Sequence, residues 1–240
     1  MSDTIAPTPP VEPTRLRGIR ACVFDAYGTL FDFASATARC TDIPSDVRAA
    51  LTASWRDKQL QYTWLRTLQG EYADFWQVTS DALDFALDSL GIASTPLHAR
   101  LMELYMTLAA FPEVPDVLRR LRQSGFVTAI LSNGTPAMLS AAVRATGIGD
   151  LFDAVLSADT VQKYKTHPRV YEFCLRQLGL EARQVSFQSS NAWDAYAASA
   201  FGMRVVWCNR YAQRRERLPG RPDHEIRSLA ELPALLENPG

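Results

Sequence analysis

The sequence lacks a long hydrophobic segment. None of its apolar runs approaches the roughly 20 residues that a membrane-spanning helix needs. Residues 1–16 are rich in proline and threonine and contain no apolar stretch, so they do not resemble a secretory signal. We therefore expect no membrane partner, and we expect a disordered tail over residues 1–16.

Cysteine and histidine are also scarce, with four and three residues among 240. No two cysteines form a C-x-x-C pair, and the histidines lie far apart in the sequence, so no zinc site is indicated. Isolated cysteines are typical of a reducing compartment, where small thiols are buried in the core. The sequence therefore predicts a cytoplasmic protein.

An excess of charge of either sign is missing as well, because 25 basic and 26 acidic residues give a net charge of -1. This balance gives no indication of a nucleic-acid partner. The densest basic stretch, residues 210–221, contains five arginines but also glutamate, proline and glycine, which is typical of a solvated loop. With 47% hydrophobic and 21% charged residues, the composition is that of an ordinary globular enzyme.

The sequence does contain an alternation of short apolar runs and amphipathic segments. Residues 19–24 have the pattern of a buried strand, and strands and helices alternate from Phe111 onwards. Such alternation predicts a parallel sheet with helices on both faces, so the predicted fold class is α/β. The predicted strands are residues 19–24, 126–131, 154–156, 185–188 and 204–208.

One block interrupts this alternation, because residues 45–110 show helical periodicity and no strand signal. Its predicted helices are residues 45–69, 71–90 and 95–109, the first capped by Ser45 or Asp46. A helical block between the first strand and the rest of the sheet predicts an insertion. We expect a core formed by residues 17–32 and 111–240, with a helical domain over residues 33–110.

Three polar clusters follow predicted strands: Asp25, Ser132-Asn133, and the segment from Ser189 to Asp194. The carboxyl ends of parallel strands meet at one edge of a sheet, and open α/β folds bind their ligands there. Two of the clusters lead into helix N-termini, whose free N–H groups favour anions. We therefore expect a single active site built from all three clusters.

Asp25 is the candidate nucleophile of this site. A carboxylate can attack a substrate and form an ester, which water then opens. An enzyme that hydrolyses a phosphate ester in this way normally uses Mg²⁺, with an acid two residues after the nucleophile. That position is Tyr27, and the third cluster supplies only one carboxylate, Asp194.

Displacement of halide from carbon suits these residues better. Halide leaves as an anion without a proton and needs only cationic or N–H donors around it. Lys165 and the Ser132 region can hold a substrate carboxylate, and Asp194 can serve as the base that activates water. Two alternatives stay open, a magnesium-dependent phosphatase and a binding protein that holds a small carboxylate without turning it over.

Four segments resemble the motifs of the haloacid dehalogenase superfamily, and in particular its L-2-haloacid dehalogenase branch. Tyr27 and the Ser-Ser-Asn-Ala-Trp-Asp run from Ser189 to Asp194 are similar to this branch rather than to the phosphatases. Segments 55–56 and 59–66 of the helical block also resemble it. The four segments are residues 24–32, 131–134, 164–171 and 189–194.

The resemblance implies a Rossmann-like core with an inserted α-helical cap and an active site between them. It implies that Asp25 is the nucleophile and that Arg56, reaching in from the cap, binds halide together with Asn133. The other catalytic residues that it implies are Thr29, Ser132, Lys165, Tyr171, Ser189, Asn191 and Asp194, with Ser132 also contacting the substrate. The implied lining of the substrate pocket is Tyr27, Leu60, Phe75 and Trp193.

The implied reaction is hydrolytic dehalogenation of short L-2-haloalkanoic acids to D-2-hydroxy acids through an ester on Asp25. Displacement inverts the reacting carbon, and hydrolysis of the ester does not touch it. The resemblance implies no cofactor and no metal ion. It implies a small halocarboxylic acid and halide as ligands, and a homodimer as the assembly.

Overall fold

The structure is a computed structural model that describes residues 15–239. Residues 1–14, most of the predicted disordered tail, lie outside the described residues. The predicted end of that tail at residue 16 is wrong, because Leu16 is buried and its N–H donates to the carbonyl of Leu235 at 2.7 Å. The packed core therefore includes Leu16, five residues before the first strand begins at Ala21.

Short strands and helices alternate over most of the described chain. The strands are β1 (Ala21–Phe24), β2 (Phe31–Asp32), β3 (Ala109–Ala110), β4 (Val127–Ser132), β5 (Ala154–Ser157), β6 (Val185–Ser189), β7 (Arg204–Cys208) and β8 (His224–Ile226). The α-helices are α1 (Ser35–Arg39), α2 (Arg48–Gln69), α3 (Phe75–Ser89), α4 (Thr95–Tyr105), α5 (Val114–Gln123), α6 (Pro136–Thr146), α7 (Pro168–Leu178) and α8 (Ala192–Phe201). Among residues 15–239, no helix combines the length and apolar character that a bilayer crossing requires.

Six strands form a parallel sheet in the order β5-β4-β1-β6-β7-β8. The four residues of β1 are all buried, as expected for a central strand covered on both faces. Phe24, its last residue, pairs with Ile130 of β4 on one side and with Gln188 of β6 on the other. The strand order reverses at β1, and this is where open α/β sheets form their ligand crevice.

The two faces of the sheet are covered by different helices. Cys22 and Phe24 of β1 pack with α5 and α6, whereas Ala21 and Val23 pack with α7 and α8. This split follows from the period of two along a strand, which sends successive side chains to opposite faces. The predicted α/β fold with helices on both faces is therefore confirmed.

The helices α1 to α4 lie between β2 and β3, where the sequence predicts a helical insertion. The prediction that this block contains no strand is wrong, because Ala109 and Ala110 pair antiparallel with Asp32 and Phe31. This pairing also ends α4 at Tyr105 rather than at residue 109. Two alanines carry no strand pattern of their own, so the pairing depends on the partner strand.

Two other helix boundaries differ from the prediction. The helix α2 begins at Arg48 without a side-chain cap, because the chain first turns after Pro44, whose carbonyl accepts the N–H of Val47 at 3.2 Å. The helix α3 begins at Phe75 rather than at residue 71, because the Asp74 side chain accepts the N–H of Gln77 at 2.8 Å. An N-terminal aspartate cap of this kind sets where a helix starts.

Candidate active site

Asp25 lies at the centre of the site, directly after β1, and is only 6% exposed. Its Oδ2 accepts hydrogen bonds from Asn191 Nδ2 at 2.7 Å, Thr29 Oγ1 at 3.0 Å and Ser189 Oγ at 3.2 Å. Its Oδ1 accepts one hydrogen bond, from Lys165 Nζ at 3.1 Å. The two oxygens therefore differ, since Oδ2 is surrounded by donors and Oδ1 keeps lone-pair capacity for a further partner.

The neighbouring strands β1 and β6 bring these donors to Asp25. The N–H of Asp25 donates to the carbonyl of Gln188 at 2.9 Å, which continues the pairing of the two strands past their ends. Thr29 Oγ1 then accepts the N–H of Ser190 at 2.7 Å, so one hydroxyl joins the two loops. The hydrogen bonds between the ends of these two parallel strands thus fix the orientation of the carboxylate.

Lys165 is fully buried and lies between two carboxylates. Its Nζ donates to Asp25 Oδ1 at 3.1 Å and to Asp194 Oδ2 at 2.8 Å. Burial lowers the pKa of this ammonium group, but the two carboxylates outweigh burial and hold the pKa of Lys165 above its ordinary value. Lys165 therefore carries a positive charge inside the site.

Asp194 lies in the first turn of α8 and is completely buried. Its Oδ1 accepts a hydrogen bond from the Tyr171 hydroxyl at 2.8 Å. Burial raises the pKa of Asp194 to about 6, while the Lys165 ammonium opposes this rise and the Asp25 carboxylate adds to it. Burial and the Asp194 carboxylate raise the pKa of Tyr171, so its hydroxyl stays a donor.

The Lys165 ammonium lies between the two carboxylates, 3.1 Å from Asp25 Oδ1 and 2.8 Å from Asp194 Oδ2. Within residues 15–239, no group of three or more His, Cys, Asp or Glu side chains is arranged as a metal site. A divalent cation that bound through those same two oxygens would have to compete with Lys165 for them. The positive charge between the two carboxylates is thus supplied by the chain itself.

On the other side of β1, Ser132 is the last residue of β4 and Asn133 follows it. Asn133 Oδ1 accepts the backbone N–H of Lys165 at 2.9 Å, which leaves the Nδ2 group of Asn133 available as a donor. Ser132 Oγ accepts the N–H of Gly134 at 3.1 Å and makes no hydrogen bond to Asp25 or Lys165 within the described chain. Ser132 thus stabilises the turn after β4, and Asn133 joins this turn to the Lys165 segment.

Arg56 reaches the site from α2 in the helical block. Its guanidinium donates to Asn191 Oδ1 at 3.1 Å, to the Tyr27 carbonyl at 3.4 Å and to Gln59 Oε1 at 2.7 Å. The group also lies over the ring of Phe33, 5.1 Å from its centroid. Arg56 therefore joins the helical block to Asn191, which itself contacts Asp25.

Aromatic side chains surround the buried part of the site. The ring of Tyr27 lies 5.6 Å from Phe75 and 5.4 Å from Tyr105. A Cβ atom on Gly134 would come within 2.7 Å of the Tyr27 hydroxyl, so this position needs the small residue. Leu60 and Trp193 instead line an open cavity of about 420 Å³, together with Arg56 and Asn191.

The comparisons with known proteins agree with this geometry. The family model described as "haloacid dehalogenase-like hydrolase" matches residues 19–202. The (S)-2-haloacid dehalogenase 1 of Pseudomonas sp. (strain CBS-3) is 45% identical over 91% of this chain and 96% of its own length. The (S)-2-haloacid dehalogenase 4A of Burkholderia cepacia is 44% identical over 92% of this chain and 96% of its own.

A solved structure shows the same likeness in three dimensions. The L-2-haloacid dehalogenase from Xanthobacter autotrophicus with chloropropionic acid covalently bound has a TM-score of 0.85 and 36% identity over 90% of this chain and 98% of its own. The chain therefore belongs to the haloacid dehalogenase-like hydrolases. The resemblance to the L-2-haloacid dehalogenase branch that the sequence motifs predict is confirmed by these relatives.

The structure brings most of the predicted site residues into one hydrogen-bonded network. Thr29, Lys165, Ser189 and Asn191 contact Asp25 directly, and the remaining residues join the network through these. Asp194 joins through Lys165 and Tyr171 through Asp194, whereas Asn133 joins through the Lys165 backbone and Arg56 through Asn191. The catalytic and binding roles of these residues stay predictions.

Two polar residues of this region were missed by the sequence reasoning. Gln59 is buried in α2, accepts from Arg56, and donates to Thr79 Oγ1 at 2.7 Å and to the Tyr105 hydroxyl at 3.1 Å. A glutamine four residues after Trp55 falls on the buried side of α2, and this spacing is a signal that could have identified it. Tyr105, at the end of α4, has no comparable signal.

Proposed function

We propose that this chain hydrolyses short L-2-haloalkanoic acids to D-2-hydroxy acids and halide through an ester on Asp25. The observation that carries the proposal is the unequal environment of the Asp25 oxygens, with three donors on Oδ2 and one on Oδ1. The names of the relatives and the covalently bound chloropropionic acid in the Xanthobacter autotrophicus structure support the same reaction.

In the first step, Oδ1 of Asp25 attacks the carbon that bears the halogen. The new carbon–oxygen bond forms as the carbon–halogen bond breaks, and the halide departs with the bonding electrons from the opposite face. This displacement inverts the carbon. Arg56 and the Nδ2 group of Asn133 are the donors that we assign to the departing halide, since developing negative charge is stabilised by fixed donors.

In the second step, water attacks the ester carbonyl while Asp194 takes up its proton. The Oδ2 atom of Asp25 becomes the oxyanion, and Thr29, Ser189 and Asn191 already donate to it in the resting state. The bond between the carbonyl carbon and Oδ1 then breaks, and the proton on Asp194 passes to the departing oxygen, which releases the hydroxy acid. The second proton of the water leaves the Asp25 carboxyl for solvent, so both carboxylates are restored. We assign Ser132 and Lys165 to the substrate carboxylate, and Ser189 and Asn191 also to the attacking water.

The decisive experiment compares chloride release from L- and D-2-chloropropionate in excess chelator. We expect release from the L enantiomer alone, at the same rate with and without chelator. A magnesium-dependent phosphatase would release no chloride and would hydrolyse phosphate esters only with added Mg²⁺. Binding of chloropropionate without release of any product would instead favour a protein that only binds carboxylates.

Arg56 should contribute strongly to turnover because it is the cation that the helical block supplies. The Arg56→Ala variant should release chloride roughly 10²-fold more slowly, the usual scale for the loss of one charge-stabilising group. The matched control is Arg66→Ala on the same helix, since Arg66 pairs with Asp81 at 2.8 Å instead. Equal rates for Arg56→Ala and the unaltered enzyme would remove Arg56 from the site.

The acid limb of the pH profile should report Asp194. The base must be ionised, and burial raises the pKa of Asp194 to about 6, so activity should rise with pH and reach half its plateau near pH 6. In Tyr171→Phe the ionised form loses a donor, so the limb should move to higher pH. A rate independent of pH between about 5 and 8 would contradict this role for Asp194.

We further infer that the protein acts in the cytoplasm as a homodimer with the helical block as its cap domain. The described cysteines are all free and buried, which suits a reducing compartment. Exposed apolar side chains on α2 and α3 suit a subunit contact, and they are Leu65, Leu68, Trp76 and Phe85. Light scattering of the purified protein would test the dimer.

A further inference from the structure

Two tyrosine hydroxyls join the helical block to the core. The Tyr72 hydroxyl donates to Asp159 Oδ1 at 2.5 Å, and the Tyr164 hydroxyl donates to the carbonyl of Ala73 at 2.6 Å. Tyr72 and Ala73 lie between α2 and α3, whereas Asp159 and Tyr164 lie between β5 and α7. We call these four residues the tyrosine latch.

The latch is compact and both of its hydroxyls are protonated donors. The two tyrosine rings lie 5.4 Å apart, and the Tyr164 ring also lies 6.1 Å from Phe75. Burial and the Asp159 carboxylate raise the pKa of Tyr72, and burial raises the pKa of Tyr164. Both hydroxyls therefore stay protonated, and able to donate, at neutral pH.

The latch is continuous in sequence with residues of the active site. Tyr164 directly precedes Lys165, whose ammonium contacts both Asp25 and Asp194. On the other side, Ala73 is two residues before Phe75, whose ring packs on Tyr27. A movement of the helical block that breaks the latch would thus act on the residues next to the nucleophile.

A second connection leads from Asp159 to the turn after β4. The N–H of Asp159 donates to Ser157 Oγ at 3.2 Å, and Ser157 Oγ donates to the carbonyl of Gly134 at 2.6 Å. Gly134 is next to Asn133, which holds the backbone of Lys165. The latch is therefore connected to Lys165 in two ways. Tyr164 is its neighbour in the chain, and Asp159 is linked through Ser157 to the turn after β4, where Asn133 accepts the Lys165 N–H.

We propose that Tyr72 and Tyr164 are positioning residues, which place Lys165 and Phe75 for reaction only when the helical block is docked on the core. The proposal rests on the proposed dehalogenation, because its kinetic test uses that reaction. Neither tyrosine touches Asp25 or the cavity lined by Arg56, so both act through the segments that they hold. The open block would admit substrate, and the latch would complete the site afterwards.

The test compares Tyr72→Phe, Tyr164→Phe and Asp159→Ala with the unaltered enzyme on L-2-chloropropionate. Each variant should lower kcat about tenfold and change KM less than twofold, because Lys165 contacts the groups that react in both steps. Tyr72→Phe combined with Asp159→Ala should be no slower than either single variant, since the two residues share one bond. The matched control is Tyr62→Phe on α2, whose hydroxyl has no hydrogen bond within the described chain.

A readout that does not need activity separates the latch from the reaction. Trp64 of α2, which is 37% exposed, meets Trp193 of the core edge-on with ring centroids 5.5 Å apart, so loss of docking should expose both rings further to a quencher. Acrylamide should quench tryptophan fluorescence more strongly in the latch variants, by about 1.5-fold, and not in Tyr62→Phe.

A purely structural contact gives a different result and would overturn the proposal. In that case the latch variants would melt at a lower temperature than the unaltered enzyme. Well below their melting temperatures, however, their kcat and their fluorescence quenching would equal those of the unaltered enzyme. If the unaltered enzyme released no halide, the proposed function would fail. The quenching comparison would then still decide whether the latch holds the block on the core.

Discussion

Replacing Asp25 with asparagine should abolish halide release from L-2-chloropropionate. The amide is a far weaker nucleophile than the carboxylate, and its nitrogen would meet the Lys165 ammonium or the donors that surround Oδ2. We expect a loss of roughly 10⁴-fold or more, the scale seen when an enzyme loses its nucleophile. The measurement is chloride release at saturating substrate, over several enzyme equivalents.

The control for Asp25→Asn is Asp32→Asn, seven residues further along the chain. Asp32 accepts the N–H of Ala34 at 3.0 Å and does not contact the site network, so its loss should leave turnover within about twofold. Acid quenching of the unaltered enzyme during turnover should also trap an ester on the peptide that contains Asp25. Unchanged halide release by Asp25→Asn would reject the ester mechanism.

Lys165→Met should remove both activity and much of the stability of the fold. The variant leaves two buried carboxylates, Asp25 and Asp194, without the ammonium group that now lies between them. Removing one partner of a buried ion pair costs about 3–5 kcal/mol, because the remaining charge is uncompensated. Turnover should fall by about 10³-fold or more, since both proposed steps pass through groups that Lys165 contacts.

The stability of this variant should depend on pH in a characteristic direction. In the unaltered enzyme the folded-state pKa of Lys165 is raised, so its stabilising contribution is present at neutral pH and is lost only as pH rises through that raised pKa. In Lys165→Met the two carboxylates repel each other and one takes up a proton. Its melting temperature should therefore rise as pH falls from about 8 to 5.

Lys163→Met, two residues earlier in the same loop, is the control for this experiment. Lys163 makes no ion pair within the described chain, so its melting temperature and rate should match those of the unaltered enzyme. A Lys165→Met protein with unaltered melting temperature and turnover would show that the buried ammonium group is dispensable. That result would also reopen the question of which group offsets the charge of the two carboxylates.

The sequence predicts the part of the site that depends on strand ends. Asp25, Ser132 and Ser189 each follow a short apolar run, and the rule that parallel strands end at one edge is enough to bring them together. The motif resemblance adds Arg56 and supports the role suggested for Lys165, since no strand end marks either residue as functional. Lys165 contacts Asp25 and Arg56 contacts Asn191. Both pairs are far apart in the sequence and become neighbours only in the folded chain.

The features that the sequence does not predict depend on contacts between distant segments. The short strand of Ala109 and Ala110 exists because β2 pairs with it, and the bond from Tyr164 to Ala73 spans 91 residues. The start of α3 depends on one aspartate side chain, whereas periodicity defines helix ends only loosely. Local patterns therefore predict the layers of the fold, and the docking of the helical block on the sheet requires the structure.

The antiparallel pairing of β2 with β3 makes the helical block an exchangeable module. The chain leaves the core at Phe31 and returns at Ala110, and the N–H of Phe111 donates to the carbonyl of Leu30 at 3.0 Å. A segment whose two ends are neighbours can be lengthened, shortened or replaced without altering the strands that hold the nucleophile. Grafting the corresponding block of another family member between Asp32 and Ala109 is thus a route to new substrate preference with the same ester chemistry.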